Sequence, residues 1–110
     1  MKESELQKQI KDAINKSYLG VCYVASAGLA RSPDGKRVYR LLPKGFPDLF
    51  GYRRKDGKFF AIEVKTPSGS LSPEQRLQLN ILEHHGVLCG VARSIDEALS
   101  ILGYEQGKMF

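Results

Sequence analysis

The sequence predicts an α/β fold, a central mixed β-sheet flanked by helices in the order α-β-β-β-α-β-α. Three observations predict it. Apolar residues recur at helical spacing near both ends of the chain, an Asp-Gly turn joins two β-forming runs at its centre, and a capped helical segment separates that hairpin from one further β-forming run. The chain has 110 residues, within the usual size of one domain, so residues 1–110 read as a single domain.

In residues 3–19 the apolar side chains Leu6, Ile10, Ala13, Ile14 and Tyr18 fall mostly three or four apart, as on one face of a helix, and Gly20 is placed to end it. Val21-Cys22-Tyr23-Val24-Ala25-Ser26 is rich in β-formers and reads as a strand. The Gly-, Ser- and Pro-containing segment that follows, to about residue 45, reads as a long basic loop, and loops of that length are functional or mobile. Residues 47–52 and 58–65 flank Arg53-Arg54-Lys55-Asp56-Gly57, whose Asp-Gly signals an antiparallel hairpin. After the turn cluster Thr66-Pro67-Ser68-Gly69-Ser70, Ser72 is an N-cap, Pro73 a first helical residue and Gln75 the capping-box partner. That helix runs to about His85 and Gly86 ends it. Residues 87–92 form a strand, and Ser94-Ile95-Asp96-Glu97 opens a last amphipathic helix carrying Ala98, Leu99 and Leu102.

Hydrophobic residues make up 42% of the chain and charged ones 26%, a globular composition and not that of a disordered polymer. No apolar run is long enough to span a bilayer, and Met1-Lys2-Glu3-Ser4-Glu5 lacks the apolar stretch of a signal peptide, which excludes a membrane span and classical secretion. Cys22 and Cys89 each sit in a short apolar run, where small buried thiols of a reducing compartment belong. His84 and His85 are adjacent, with no cysteine at ligand spacing; they make a poor zinc site and suit a helix C-terminus.

The net charge of +5 is unevenly placed. Arg31, Lys36, Arg37, Arg40, Lys44, Arg53, Arg54, Lys55 and Lys58 face only Asp34, Asp48 and Asp56 in the same stretch, and the rest of the chain is close to neutral. With Tyr39, Phe46 and Tyr52 interleaved, this pattern is the footprint of a polyanion binder, since cations displace counterions from phosphates and rings stack on exposed bases. A solvated loop and hairpin, kept soluble by lysines, is the alternative reading of the same residues.

Asp48 opens the first strand of the central hairpin, and Glu63 and Lys65 close the second, two apart and therefore on one face. An antiparallel hairpin can bring Asp48 level with Glu63. Two carboxylates converging at strand ends form a hard oxygen site suited to Mg²⁺ or Mn²⁺, with the Val64 backbone carbonyl able to add a ligand. A lysine beside such a metal can orient a water or offset charge on a phosphate under attack. Phe59, Phe60, Ala61, Ile62 and Val64 make this strand apolar on both faces, so charges at its end need a reason.

Gly45-Phe46-Pro47-Asp48-Leu49, Phe60-Ala61-Ile62-Glu63-Val64-Lys65 and Leu71-Ser72-Pro73-Glu74-Gln75, in that order, resemble the VRR-NUC domain of the restriction-endonuclease-like, or PD-(D/E)XK, nucleases. The likeness covers nearly the whole chain. It implies the restriction-endonuclease-like fold, with Pro47-Asp48 and Glu63-Val64-Lys65 as the two halves of the catalytic motif and Gln75 near the scissile bond. Capping of the helix is the other reading of Gln75. The resemblance also implies a carboxylate on the first helix that completes the metal shell through water. Glu3 is the choice, because it shares a face with Leu6, Ile10 and Ile14, whereas Glu5 turns toward solvent. Ser26 and Arg31 are candidate phosphate contacts by position, with Lys36, Arg37, Arg40 and Lys44 from the basic loop.

The function so implied is a Mg²⁺-dependent (or Mn²⁺-dependent) DNA endonuclease hydrolysing phosphodiester bonds. Similarity to stand-alone phage and bacterial members and to compact junction resolvases implies branched DNA such as Holliday junctions or flaps, a homodimer, and the cytoplasm of a bacterial or phage-infected cell. A non-catalytic DNA-binding module of the same fold and a nuclease of a restriction or defence system are the competing readings.

Overall fold

The computed structural model describes residues 1–26 and 29–104, with the side chain of Arg40 left aside. Its elements are α1 (Glu3–Lys16), β1 (Gly20–Val24), β2 (Leu29–Arg31), β3 (Val38–Arg40), β4 (Leu49–Arg53), β5 (Phe59–Val64), α2 (Pro73–His84), β6 (Leu88–Ala92) and α3 (Ile95–Ile101). The four-stranded sheet has the order β1-β4-β5-β6, antiparallel except for the parallel β5/β6 pair. This is the mixed sheet flanked by helices that the sequence predicts, and it fits the restriction-endonuclease-like fold.

Alternation along the strands divides the sheet into two faces. Cys22, Leu49, Phe60, Ile62, Val64 and Ala92 point to one face, where Leu6, Ile10 and Ile14 of α1 and Ala98 and Leu102 at α3 complete the buried core. Tyr23, Phe50 and Phe59 point to the other, in a row of rings 5.8 and 6.2 Å apart. Helix α2 takes that second face over β6, burying Leu79.

Three expectations need correction. The first helix stops at Lys16, and Tyr18 rather than Gly20 takes the left-handed turn, with φ 61°. Gly20 instead opens β1, where a Cβ would lie 2.8 Å from the Tyr52 carbonyl and 2.9 Å from Leu102, so its missing side chain admits a neighbouring strand and α3. The long basic segment is not all loop: β2 and β3 pair as a separate hairpin, closed by the Ser32 carbonyl accepting from the Gly35 N–H at 2.9 Å and the Asp34 carboxylate accepting from the Lys36 N–H at 2.9 Å. Asp34-Gly35 is the turn signal for it in the sequence, between strands of three residues each, too short for an apolar alternation to announce them.

The basic stretch is also not one surface. The β2/β3 hairpin springs from the end of the sheet where Asp48 lies, while residues 54–58 form the turn at the opposite end of β4 and β5. There Arg53 is committed to structure: its guanidinium holds Asp56 through bonds of 3.1 and 2.6 Å and the Leu102 carbonyl at 3.0 Å.

Cys22 is buried, Cys89 half-buried, and both are free thiols. Burial pushes the Cys22 thiol up to about 12, which suits a packing residue and not a nucleophile. His84 ends α2 and the His85 ring lies 2.9 Å from the Ile81 carbonyl. Among the described residues no helix is long and apolar enough to cross a membrane.

Candidate active site

The β4/β5 register sets Leu49 opposite Ile62, which carries Asp48 to a position opposite Glu63. Asp48 is held on both sides: its carbonyl accepts from the Ala25 N–H at 2.8 Å, and its Oδ2 accepts from the Val64 N–H at 2.8 Å. One residue further the same register would set Pro47 against Val64. Proline has no N–H, so it cannot supply the ladder bond that the Val64 carbonyl would otherwise accept there. The Pro-Asp sequence thus spares a carbonyl and replaces a ladder bond with a carboxylate.

Glu63 has no exposed surface, the one charged residue in the described core. Its Oε1 accepts from the Gln75 Nε2 at 3.3 Å, and its Oε2 is buried with no hydrogen-bond partner. Burial above all, then the neighbouring carboxyl of Asp48 and the charge of Glu3, push Glu63 up to about 9, with Lys65 opposing. Glu3, the first residue of α1, brings its carboxylate to the same place: one oxygen from each of Glu3, Asp48 and Glu63 lies within 4.8 Å of the others. Glu5 is exposed on the other side of the helix.

Helix α2 is seated so that Gln75 serves two partners. Ser72 Oγ accepts from the Gln75 N–H at 3.1 Å, and Gln75 Oε1 accepts from the Ser72 N–H at 2.9 Å. The amide oxygen closes the capping box, which leaves the amide nitrogen to face Glu63. The capping expected of this residue is therefore present, and the same side chain also touches Glu63. Gly45 shows why the motif segments touch: at φ +87°, a Cβ there would lie 2.5 to 2.8 Å from the backbone of Glu74 and Gln75. Only glycine lets the chain entering Pro47-Asp48 press against the first turn of α2.

Lys65 follows β5 directly and is half-buried, its N–H donating to the Ala92 carbonyl at 3.1 Å. Of the expected phosphate contacts, Ser26, Arg31, Lys36, Arg37 and Lys44 are exposed, and Lys44 lies 3.9 Å from Glu74 in a solvated pair. Arg40 ends β3, and its side chain lies outside the described part. The structure gathers Glu3, Asp48, Glu63 and Gln75 at one point and leaves the basic side chains dispersed along the hairpin and its flanks.

One residue the sequence did not single out stands beside this point. Arg93, just after β6, donates from Nη1 to the carbonyls of Thr66 at 2.7 Å and Gly69 at 2.6 Å, with Pro67 at 3.4 Å. No spacing rule connects it to a turn 24 or more residues earlier.

Two carboxylates at the strand ends, Asp48 and Glu63, and one at the start of α1, Glu3, thus converge beside the sheet, one of them with an orphaned buried oxygen. The VRR-NUC domain family matches residues 1–96, and the chain belongs to that family. No curated protein matches the chain. VRR-NUC domains are nucleases, which makes DNA the substrate and phosphodiester cleavage the activity that family membership implies.

Proposed function

We propose that the protein is a Mg²⁺-dependent (or Mn²⁺-dependent) endonuclease acting on branched DNA, with Asp48, Glu63, Glu3 and the Val64 carbonyl at the metal and Lys65 and Gln75 beside the scissile phosphate. The observation that carries it is the orphaned Glu63 Oε2 among three carboxylates: a buried acid without a donor is costly unless a cation faces it. The donor set is all oxygen and all hard, which fits Mg²⁺ or Mn²⁺ and not zinc. When bound, such an ion supplies Lewis acidity toward a phosphate oxygen and a more acidic water.

The chain's own groups do the rest. Asp48, fixed by the Val64 N–H, keeps its carboxylate beside those of Glu3 and Glu63. Gln75 orients Glu63 by its amide N–H and keeps that orientation because its own oxygen is locked in the helix cap. Lys65 places a cation beside them that can hold a water or a phosphate oxygen and stabilise charge as it grows on the phosphate. Arg31, Lys36, Arg37 and Lys44, with Arg40, draw the DNA backbone to the Asp48 end of the sheet.

A second copy of the chain is part of this reading. Tyr23, Tyr52 and Phe59 are exposed on the sheet, and a two-fold pair would set two sites against two strands of a branched duplex. Incubating the purified protein with Mg²⁺ or Mn²⁺ and linear duplex, flap, splayed-arm or four-way-junction DNA tests the proposal. Cleavage of the branched forms in preference to linear duplex is expected. Binding without cleavage of any of them would return the chain to a non-catalytic module.

A further inference from the structure

We propose that Arg93 is a positioning residue for Lys65, holding the turn that begins immediately after it. The inference rests on the role of Lys65 proposed above. Lysine carries its charge on a flexible stem of four carbons, so its ammonium stands where the surrounding backbone puts it. That backbone is the turn at residues 66–69, closed by the Gly69 N–H donating to the Thr66 carbonyl at 3.0 Å. The turn runs beside the lysine stem: a Cβ on Gly69 would stand 3.4 Å from Lys65 Cδ and 3.4 Å from Thr66 Oγ1.

Arg93 reaches this turn from a fixed base. Ala92, its predecessor, is fully buried and accepts from the Lys65 N–H, and the Arg93 N–H donates to Glu97 Oε1 at 2.7 Å in the first turn of α3. From there the two hydrogens of Nη1 take the Thr66 and Gly69 carbonyls at 2.7 and 2.6 Å, at the two ends of the turn. Charge-assisted bonds this short span the turn and close its width. The carbonyls converge on one cation, so removing it leaves them pointed at each other with only water between. A lysine at position 93 would keep the charge, but its rotatable ammonium lacks the guanidinium plane that fixes the two Nη1 hydrogens in direction between the two carbonyls.

The test uses the full chain in two ways. In the metal-free protein, lysines are ¹³C-dimethylated and the Lys65 resonance is identified by its loss in Lys65→Arg. It is expected to stand apart from the bulk lysine signals in the wild type and to collapse into them in both Arg93→Ala and Arg93→Lys. In single-turnover cleavage, Arg93→Ala is expected to lose about 10- to 100-fold in rate, the scale of a small misplacement, with DNA affinity within about twofold of wild type, and to add nothing to the loss in Lys65→Ala. If Arg93→Ala does not fold, Arg93→Lys carries both comparisons. A Lys65 resonance unchanged in the folded variants, or rate losses that add, would overturn the inference. A near-normal rate in Lys65→Ala would instead remove the role of Lys65 on which it rests.

Discussion

Glu63 is the residue at which burial and charge conflict, and the conflict gives a testable pH dependence. Its carboxyl stands at about 9 in the folded metal-free protein, against about 4.3 for an unfolded chain. Between those values the folded state holds a proton that the unfolded state has released. The acid therefore costs no stability below the unfolded value, and stability falls as pH rises toward the folded one. Thermal unfolding of the metal-free wild type should show a melting temperature declining from about pH 5 to pH 9, while Glu63→Gln, neutral throughout, should lose most of that slope and be the more stable of the two at the upper end. Equal slopes in the two proteins would mean that Glu63 ionises without cost and that the orphaned oxygen is solvated. At Lys65, substitution by Ala should lower the cleavage rate by about 10² or more, the scale of a positioned proton-transfer or charge-stabilising group; a near-normal rate would leave it a strand-end cation.

At the scale of elements, the two basic segments should behave differently. Neutralising Arg31, Lys36 and Arg37 on the β2/β3 hairpin should weaken DNA binding regardless of sequence and reduce the slope of log K against log salt by ~0.9 for each phosphate left without its cation. Neutralising Arg54 and Lys58, at the far end of β4 and β5, should change neither appreciably. Equal effects from the two sets would contradict a track that begins at the Asp48 end. The helix caps and the central hairpin were legible in the sequence because each rests on local chemistry: Ser72 and Gln75 bond each other, and Asp56-Gly57 makes its own turn. The β2/β3 hairpin was not legible, since its three-residue strands carry exposed and half-buried side chains with no buried face to impose alternation. Gly20 misled for a related reason: a glycine after a helical run signals a cap, but here it answers to the strand and helix packed on it, which only the tertiary structure reveals. In the site, Asp48 and Glu63 could be paired from spacing, because a hairpin fixes register. Glu3 needed a family resemblance, and Arg93 left no local trace at all.

For the whole molecule, the row of Tyr23, Phe50 and Phe59 and the position of the acidic cluster at the end of the same strands lead to one expectation about assembly. The active species should sediment as a dimer at working concentration, and Tyr23→Ser with Phe59→Ser should shift it toward monomer while lowering its preference for four-way junctions over linear duplex. A monomer that cuts both substrates alike would remove the dimer and the branched substrate from the account and leave the nuclease. The central claim, that Asp48 and Glu63 hold the ion on which cleavage depends, is tested most directly by comparing wild type, Asp48→Ala and Glu63→Ala for cleavage of one junction substrate in Mg²⁺ and in chelator, with DNA affinity measured alongside. The account predicts cleavage by the wild type in Mg²⁺ alone, none by either variant, and DNA affinity nearly unchanged in both, because neither substitution removes a cation from the binding surface. Mg²⁺-dependent cleavage retained in both variants would contradict it.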